Sequence, residues 1–202
     1  METKLTPQQL SYIDRYLKNS DVFYDDIRYE MTDHVASAIE NMEGNFYDNL
    51  YSYMAEHRTE LLESNKVFKK LAFDKAVSLI TKTLANVQLY SVTAILFATA
   101  YFAGTIAGNE TITDNLHIAL ILILTVVLLN FWYYKIFSSR SYSVIDKLLT
   151  VVYFGAIVIR VDMFIENTIL LNLYYSFCIA FFILLTQSLY RLKRKYKLRY
   201  EV

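Results

Sequence analysis

The stretch LHIALILILTVVLLNFWYY, residues 116–134, decides the fold of this chain. It contains no Asp, Glu, Lys or Arg, and as an α-helix it is long enough to cross a hydrocarbon core of about 30 Å. Because lipid offers no hydrogen-bond partner to an open strand, such a run predicts a membrane-spanning helix. The chain has four glycines and one proline in 202 residues, too few turn residues for a sheet protein. The sequence therefore predicts an all-α membrane protein.

Three further apolar stretches predict three further spans. Residues 87–108 and 168–190 are uncharged, and residues 144–165 carry charges only near their two ends. With the stretch at 116–134, these runs predict a four-helix transmembrane bundle over residues 85–190.

The first predicted span carries small residues at a spacing of four. They are Ala100, Gly104 and Gly108. A face of this kind lets two helices approach closely. It indicates packing within the bundle, or alternatively a contact between copies in a homo-oligomer.

The charges between the spans predict the orientation. The loop after the first span carries Glu110 and Asp114 but no Lys or Arg, whereas the loop after the second carries Lys135, Arg140 and Lys147. Basic residues flanking spans stay on the cytoplasmic side. Both termini are therefore predicted to be cytoplasmic, in a multi-pass protein of the inner membrane.

The segment after the last span, residues 191–202, is strongly basic. Its Lys and Arg residues are Arg191, Lys193, Arg194, Lys195, Lys197 and Arg199. We expect this cytosolic tail to fix the topology and to contact anionic membrane lipid, because each basic residue near such a surface contributes about 1 kcal/mol. No nucleic-acid recognition motif accompanies the tail, so a nucleic-acid partner is not expected.

Residues 1–84, called the head below, predict a cytosolic helical domain. Residues 1–85 hold 10 Lys/Arg against 14 Asp/Glu, a net charge of −4, so the head is acidic where the remainder of the chain is basic. Apolar residues recur at helical spacing and predict about four helices. These begin after Thr6, at about Tyr24, near Phe46 and near Lys66, and the second runs to Glu43. The fourth leads towards the first span.

The histidine and acidic residues of the head have two interpretations, a metal site and a structural role. Glu30 and His34 lie four apart on the second predicted helix, next to Asp33, and His57 lies on the third. Such residues could bind a metal, but neither a zinc-type motif nor a nearby cysteine accompanies them. We therefore expect no metal and no cofactor. His34 and His57 are predicted to pack between helices, while Asp33 or Glu30 pairs with Arg28 or caps a helix end.

Two charges, Arg160 and Asp162, fall within the third predicted span. Because they are two residues apart, they do not face each other on one helix. Arg160 is expected to extend towards the outer surface, or to pair with a residue such as Asp114 or Asn172. Charges at this depth can also mark a transport path, and the outer polar cluster would then include His117.

The run YDDIRYEMTDH, residues 24–34, is similar to the N-terminal signature of small bacterial membrane proteins with a HAAS-type signalling domain. Such proteins are often encoded beside PadR-type transcription regulators. The resemblance covers about residues 5–65, and the residues that carry it are Ile27, Arg28, Glu30, Met31, Asp33 and His34. It implies a signalling module with a cytosolic protein partner rather than an enzyme. Arg28, Glu30, Asp33, His34 and His57 are then candidates for the partner interface or for a structural motif.

Enzyme motifs are missing from the sequence. It contains no G-x-G-x-x-G, no Walker loop and no G-x-S-x-G. The sequence thus favours a non-enzymatic membrane protein with a regulatory or protein-interaction role for its head. The alternative is a small transport-related protein that uses the outer polar cluster around Arg160 and Asp162. A membrane metalloenzyme is the weakest hypothesis.

Overall fold

The structure is a computed structural model that describes residues 4–137, 141–158 and 164–200. The described residues confirm the all-helical fold and contain no strand. They form α1 Pro7–Asn19, α2 Asp25–Glu40, α3 Phe46–Glu56, α4 Arg58–Leu84, α5 Val87–Ala107, α6 Asn109–Phe137, α7 Ser143–Val158 and α8 Thr168–Tyr200.

The first helix begins as its sequence predicts. The Thr6 hydroxyl accepts a hydrogen bond from the Gln9 amide at 3.3 Å, and the Gln9 side chain accepts one from the Thr6 amide at 2.8 Å. Pro7 occupies the first helical position, where its missing N–H costs nothing. Together these contacts form a capping box.

Two boundaries in the head differ from the predicted ones. Helix α2 ends at Glu40 rather than at Glu43, because the Asn41 side chain donates to the Ser37 carbonyl at 2.7 Å and the chain turns at Gly44, with φ +120°. Helix α4 begins at Arg58 rather than near Lys66. Leu61 continues the apolar spacing of Leu50 and Met54, so periodicity assigned the first turn of α4 to the helix before it.

Three helices are long and apolar enough to cross a membrane: Val87–Ala107, Asn109–Tyr134 and Thr168–Tyr200. They coincide with the first, second and fourth predicted spans. Helix α7 covers the start of the third predicted span, 144–165, and residues 159–163 lie outside the described residues. That span stays a prediction at this point.

The predicted loop between the first two spans is mostly helical. Gly108 ends α5 with a φ of +91°, and its amide donates to the Gly104 carbonyl at 2.9 Å. This conformation reverses the chain in one residue, so α6 begins at Asn109 instead of Leu116. Gly108 is therefore an exposed turn residue, and only Ala100 and Gly104 of the small-residue face are buried within the chain.

The basic segment after the last span continues the helix. Helix α8 runs without interruption from Thr168 to Tyr200, a length of 33 residues. The basic side chains therefore sit on a rigid helical extension rather than on a flexible tail.

The head has an apolar core of its own but also shares one with the apolar helices. Its own core is formed by Ile13, Leu17, Val22, Ile27, Met31, Val35, Ala36, Ile39, Leu50, Tyr53, Met54 and Leu61. A second cluster joins Ala72 and Ala76 of α4 to Val144 and Leu148 of α7 and Leu185 of α8. The sequence boundary at residue 84 therefore does not separate two cores.

Enlarging Ala76 should destabilise the contact between α4 and α7. Ala76 is fully buried there, and added methylene groups in a packed core cost about 1–3 kcal/mol. We expect Ala76→Leu to lower the melting temperature of the detergent-solubilised chain, followed by circular dichroism. Val77→Leu, at an exposed position on the same helix, should leave it unchanged. Equal melting temperatures for the two variants would contradict this packing.

Candidate functional site at the head–membrane junction

The N-terminus of α7 is capped by a residue of the head. The Asp26 carboxylate accepts from the Ser143 amide at 2.9 Å and from the Ser143 hydroxyl at 2.6 Å. Both residues are buried. The first amides of a helix lack intrahelical partners and carry partial positive charge, so a carboxylate is a favourable cap. Here the cap is supplied from α2, 117 residues away in the chain.

The two residues before Asp26 extend this contact. The Asp25 amide donates to the Ser141 carbonyl at 2.8 Å, and the Ser141 amide donates back to the Asp25 carboxylate at 2.7 Å. The Tyr24 hydroxyl donates to the Asp146 carboxylate at 2.7 Å. We call these three pairs the latch: Tyr24 with Asp146, Asp25 with Ser141, and Asp26 with Ser143.

Arg28 holds the head's half of the latch in place. Its guanidinium donates to Asp14 at 2.9 Å and to the Asp25 carboxylate. It also donates to the carbonyls of Val22 at 3.1 Å and Phe23 at 2.9 Å. Only 7% of the Arg28 side chain is exposed. A buried guanidinium with four acceptors is well satisfied, so Arg28 fixes the turn that leads into α2.

Burial sets the electrostatics of the latch. Loss of hydration raises the pKa of the Asp26 carboxyl above its usual range, and the two hydrogen bonds from Ser143 oppose that rise. Burial and the bond to Asp146 raise the pKa of Tyr24. Tyr24 therefore remains a protonated donor at physiological pH.

The end of α8 meets α2 beside the latch. Arg199 donates to Glu30 at 2.9 Å, and the Tyr200 ring packs edge-on against the Tyr29 ring, with 5.2 Å between centroids. The Arg199 side chain is 61% exposed, and an exposed ion pair contributes little stability. This second contact is therefore weaker than the latch.

The structure separates the head residues that the sequence grouped. Glu30 pairs with Arg199, and Asp33 and His34 are exposed on α2. His57 ends α3 with its ring stacked on Tyr53 at 4.2 Å. Within the described residues, no group of three or more His, Cys, Asp or Glu side chains could bind a metal ion.

Two expected roles in the head were wrong. His34 does not pack between helices, because the buried stripe of α2 runs through Met31 and Val35 and leaves His34 outside. Arg28 pairs with Asp14 and Asp25 rather than with Asp33 or Glu30. On a helix, Arg28 and Asp33 are five residues apart and do not share a face.

The described residues do not bring together the outer polar cluster that the sequence suggested. Arg160 and Asp162 lie outside the described residues, and Asp114 is exposed. The His117 ring stacks on Tyr175 with 5.3 Å between centroids. Asn172, a suggested partner of Arg160, accepts a hydrogen bond from the Thr113 hydroxyl at 2.7 Å. This buried bond ties α6 to α8.

Sequence reasoning missed the latch residues. The adjacent acids Asp25 and Asp26 mark a helix start, but nothing local links them to Ser141 or Ser143. No pattern in the sequence pointed from residues 24–26 to residues 141–146.

Comparison with protein-family models, curated proteins and solved structures found no match to this chain. The contacts within the chain therefore carry the functional argument.

Removing the Asp26 carboxylate should weaken the junction. Asp26→Ala leaves the Ser143 amide and hydroxyl at the start of α7 without this acceptor, a loss of about 1–2 kcal/mol. Asp26→Asn keeps an acceptor and should lose less than half as much. Chemical denaturation of the full chain in detergent at neutral pH measures both, with Asp33→Ala at an exposed position of α2 as the control. A loss in Asp26→Ala no larger than in the control would argue against the cap.

The stability contributed by Asp26 should depend on pH. Since its folded pKa is raised, the folded chain retains a proton that the unfolded chain has released. That stabilisation is present at acid pH and is lost as pH rises through the folded pKa. The melting temperature of Asp26→Asn minus that of the wild type should therefore increase between about pH 4 and about pH 7. A constant or falling difference would contradict the raised pKa of the buried Asp26 carboxyl.

Proposed function

We propose that this protein is a non-enzymatic regulatory protein of the inner membrane. Its head binds a cytosolic protein partner, and the latch couples the head to the membrane helices. The observation that carries the proposal is the capping of α7 by Asp26 of the head. A passive anchor needs no buried polar contact of this kind.

Coupling follows from the shared cap. A partner that binds one position of α2 better than another shifts the equilibrium between those positions. Because Asp26 caps α7, a shift of α2 alters the hydrogen bonds at the start of α7. By the reciprocity of coupled equilibria, a change at α7 then alters the affinity of the head for its partner.

A partly exposed aromatic patch on α1 and α3 offers a surface for the partner. Its members are Tyr12, Tyr16, Phe46, Tyr47 and Tyr51. Tyr47 and Tyr51 are each 50% exposed, and the Tyr51 and Tyr12 hydroxyls lie 2.7 Å apart. Tyrosine is enriched at protein interfaces because it combines apolar area with a polar tip.

The proposed topology has four spans and both termini in the cytoplasm. The contact between Glu30 and Arg199 supports it, since the head and the end of α8 must then lie on one side of the membrane. Helices α5, α6 and α8 alone would supply three crossings, and an odd number would place the head and the end of α8 on opposite sides of the membrane. A fourth crossing, by the segment that begins with α7, restores the even number, and the basic loops favour the cytoplasmic side.

The sequence resemblance supports a signalling role. Proteins with HAAS-type domains are often encoded beside PadR-type regulators, and this points to a soluble regulator as the class of partner. In this proposal Ile27, Arg28 and Met31 shape the head from within, and the aromatic patch contacts the regulator.

Photo-cross-linking in native membranes tests the partner. A photoreactive residue in place of Tyr47 should give one discrete adduct, identified by mass spectrometry, and adding Tyr51→Ser should reduce its yield at least about fivefold, since interface aromatics dominate binding energy. The control places the same residue at Phe23, which is exposed on the head outside the patch. No adduct from position 47, or equal adducts from both positions, would reject the patch as the partner surface.

A further inference from the structure

A cavity of about 450 Å³ lies where the head, α7 and the end of α8 meet. Its apolar wall comes from Phe68 and Leu71 of α4, Val144 of α7 and Leu192 of α8. The latch residue Asp26 also borders it. The cavity therefore adjoins the contact that joins head and membrane helices.

Three basic side chains from two helices line this cavity. Lys75 comes from α4, and Lys195 and Arg199 lie four apart on one face of α8. The acidic side chains that line it are both engaged, Asp26 by Ser143 and Glu30 by Arg199. Within the described residues, Lys75 and Lys195 make no ion pair. Ser143 is neutral and does not cancel the charge of the Asp26 carboxylate. With both carboxyl groups ionised, the three basic and two acidic side chains give the cavity a net charge of +1, which favours an anionic occupant.

The position of the cavity along α8 matches the level of lipid headgroups. The uncharged span predicted from the sequence ends at Tyr190, and Lys195 follows it by about 7.5 Å of helix. Phosphate groups lie just outside the hydrocarbon core. Leu192, between the two positions, extends the apolar wall towards the hydrocarbon.

We propose that this cavity binds the phosphate headgroup of an anionic phospholipid. Lys75 and Lys195 contact the phosphate, Arg199 is shared between the phosphate and Glu30, and the apolar wall accommodates the first carbons of the lipid. The inference rests on the membrane topology proposed above, and it involves no protein partner. A bound lipid phosphate draws Arg199 away from Glu30. The lipid composition of the membrane therefore affects the contact between α8 and the head beside the latch.

The test measures binding to the detergent-solubilised full chain by microscale thermophoresis. The probes are dioctanoyl phosphatidylglycerol, dioctanoyl phosphatidylcholine and inorganic phosphate. The cavity variant is Lys75→Gln with Lys195→Gln. The matched control is Lys70→Gln with Lys193→Gln, which removes the same charge from the same two helices at positions that do not line the cavity.

The wild type should bind phosphatidylglycerol at least tenfold more tightly than either other probe. The cavity variant should lose about tenfold in affinity for phosphatidylglycerol and the control less than about twofold, because a site depends on specific side chains and a diffuse field does not. Equal losses in the two variants would overturn the site. Inorganic phosphate binding as tightly as phosphatidylglycerol would overturn the lipid as occupant.

Two controls keep the result interpretable. All four lysines are exposed, so the melting temperature of each variant should match that of the wild type. If the double cavity variant melts at a lower temperature, Lys75→Gln alone replaces it. If the chain fails to bind lipid but still gives the cross-linked adduct from position 47, the cavity is rejected as a lipid site and the proposed protein partner is retained. The reverse pattern would reject the partner and retain the cavity.

Discussion

The buried contact between the Asp26 carboxylate and Ser143 determines how the two halves of this molecule fit together. It satisfies the backbone amide and the hydroxyl of Ser143 at the start of α7, which would otherwise lie unpaired in a buried position. A buried carboxylate loses hydration, and the two hydrogen bonds from Ser143 offset part of this loss. The energy of this contact therefore depends steeply on geometry, and the first turn of α2 is held against the first turn of α7.

The shared apolar cluster adds a second restriction. Ala72 and Ala76 on α4 allow close approach to Val144 and Leu148 on α7. Since protein interiors are densely packed, a large separation of the head would leave a cavity at this surface. The head can therefore slide or rotate by small amounts, and cannot swing away as an independent domain.

Sequence patterns predicted the features that depend on local chemistry. The apolar runs at 87–108, 116–134 and 168–190 predicted the apolar parts of the helices at 87–107, 109–134 and 168–200, because span length and hydropathy are local properties. The capping box at Thr6 was likewise predicted from the sequence. The start of α4 at Arg58 was missed because Leu61 continues the apolar spacing of α3. The one-residue turn at Gly108 was missed because acidic residues predicted a loop there. The latch could not be predicted, since it depends on how residues 24–26 meet residues 141–146 in three dimensions.

The uninterrupted length of α8 gives it the mechanical character of a lever. Its 33 residues span about 50 Å, from the apolar contact with α6 to the Glu30 side chain of the head. A tilt of about 5° at one end displaces the other by about 4 Å, more than a hydrogen bond tolerates. Spans tilt when bilayer thickness changes. In the topology proposed above, stretching or thinning of the membrane would thus be amplified along α8 into movement at the surface of the head.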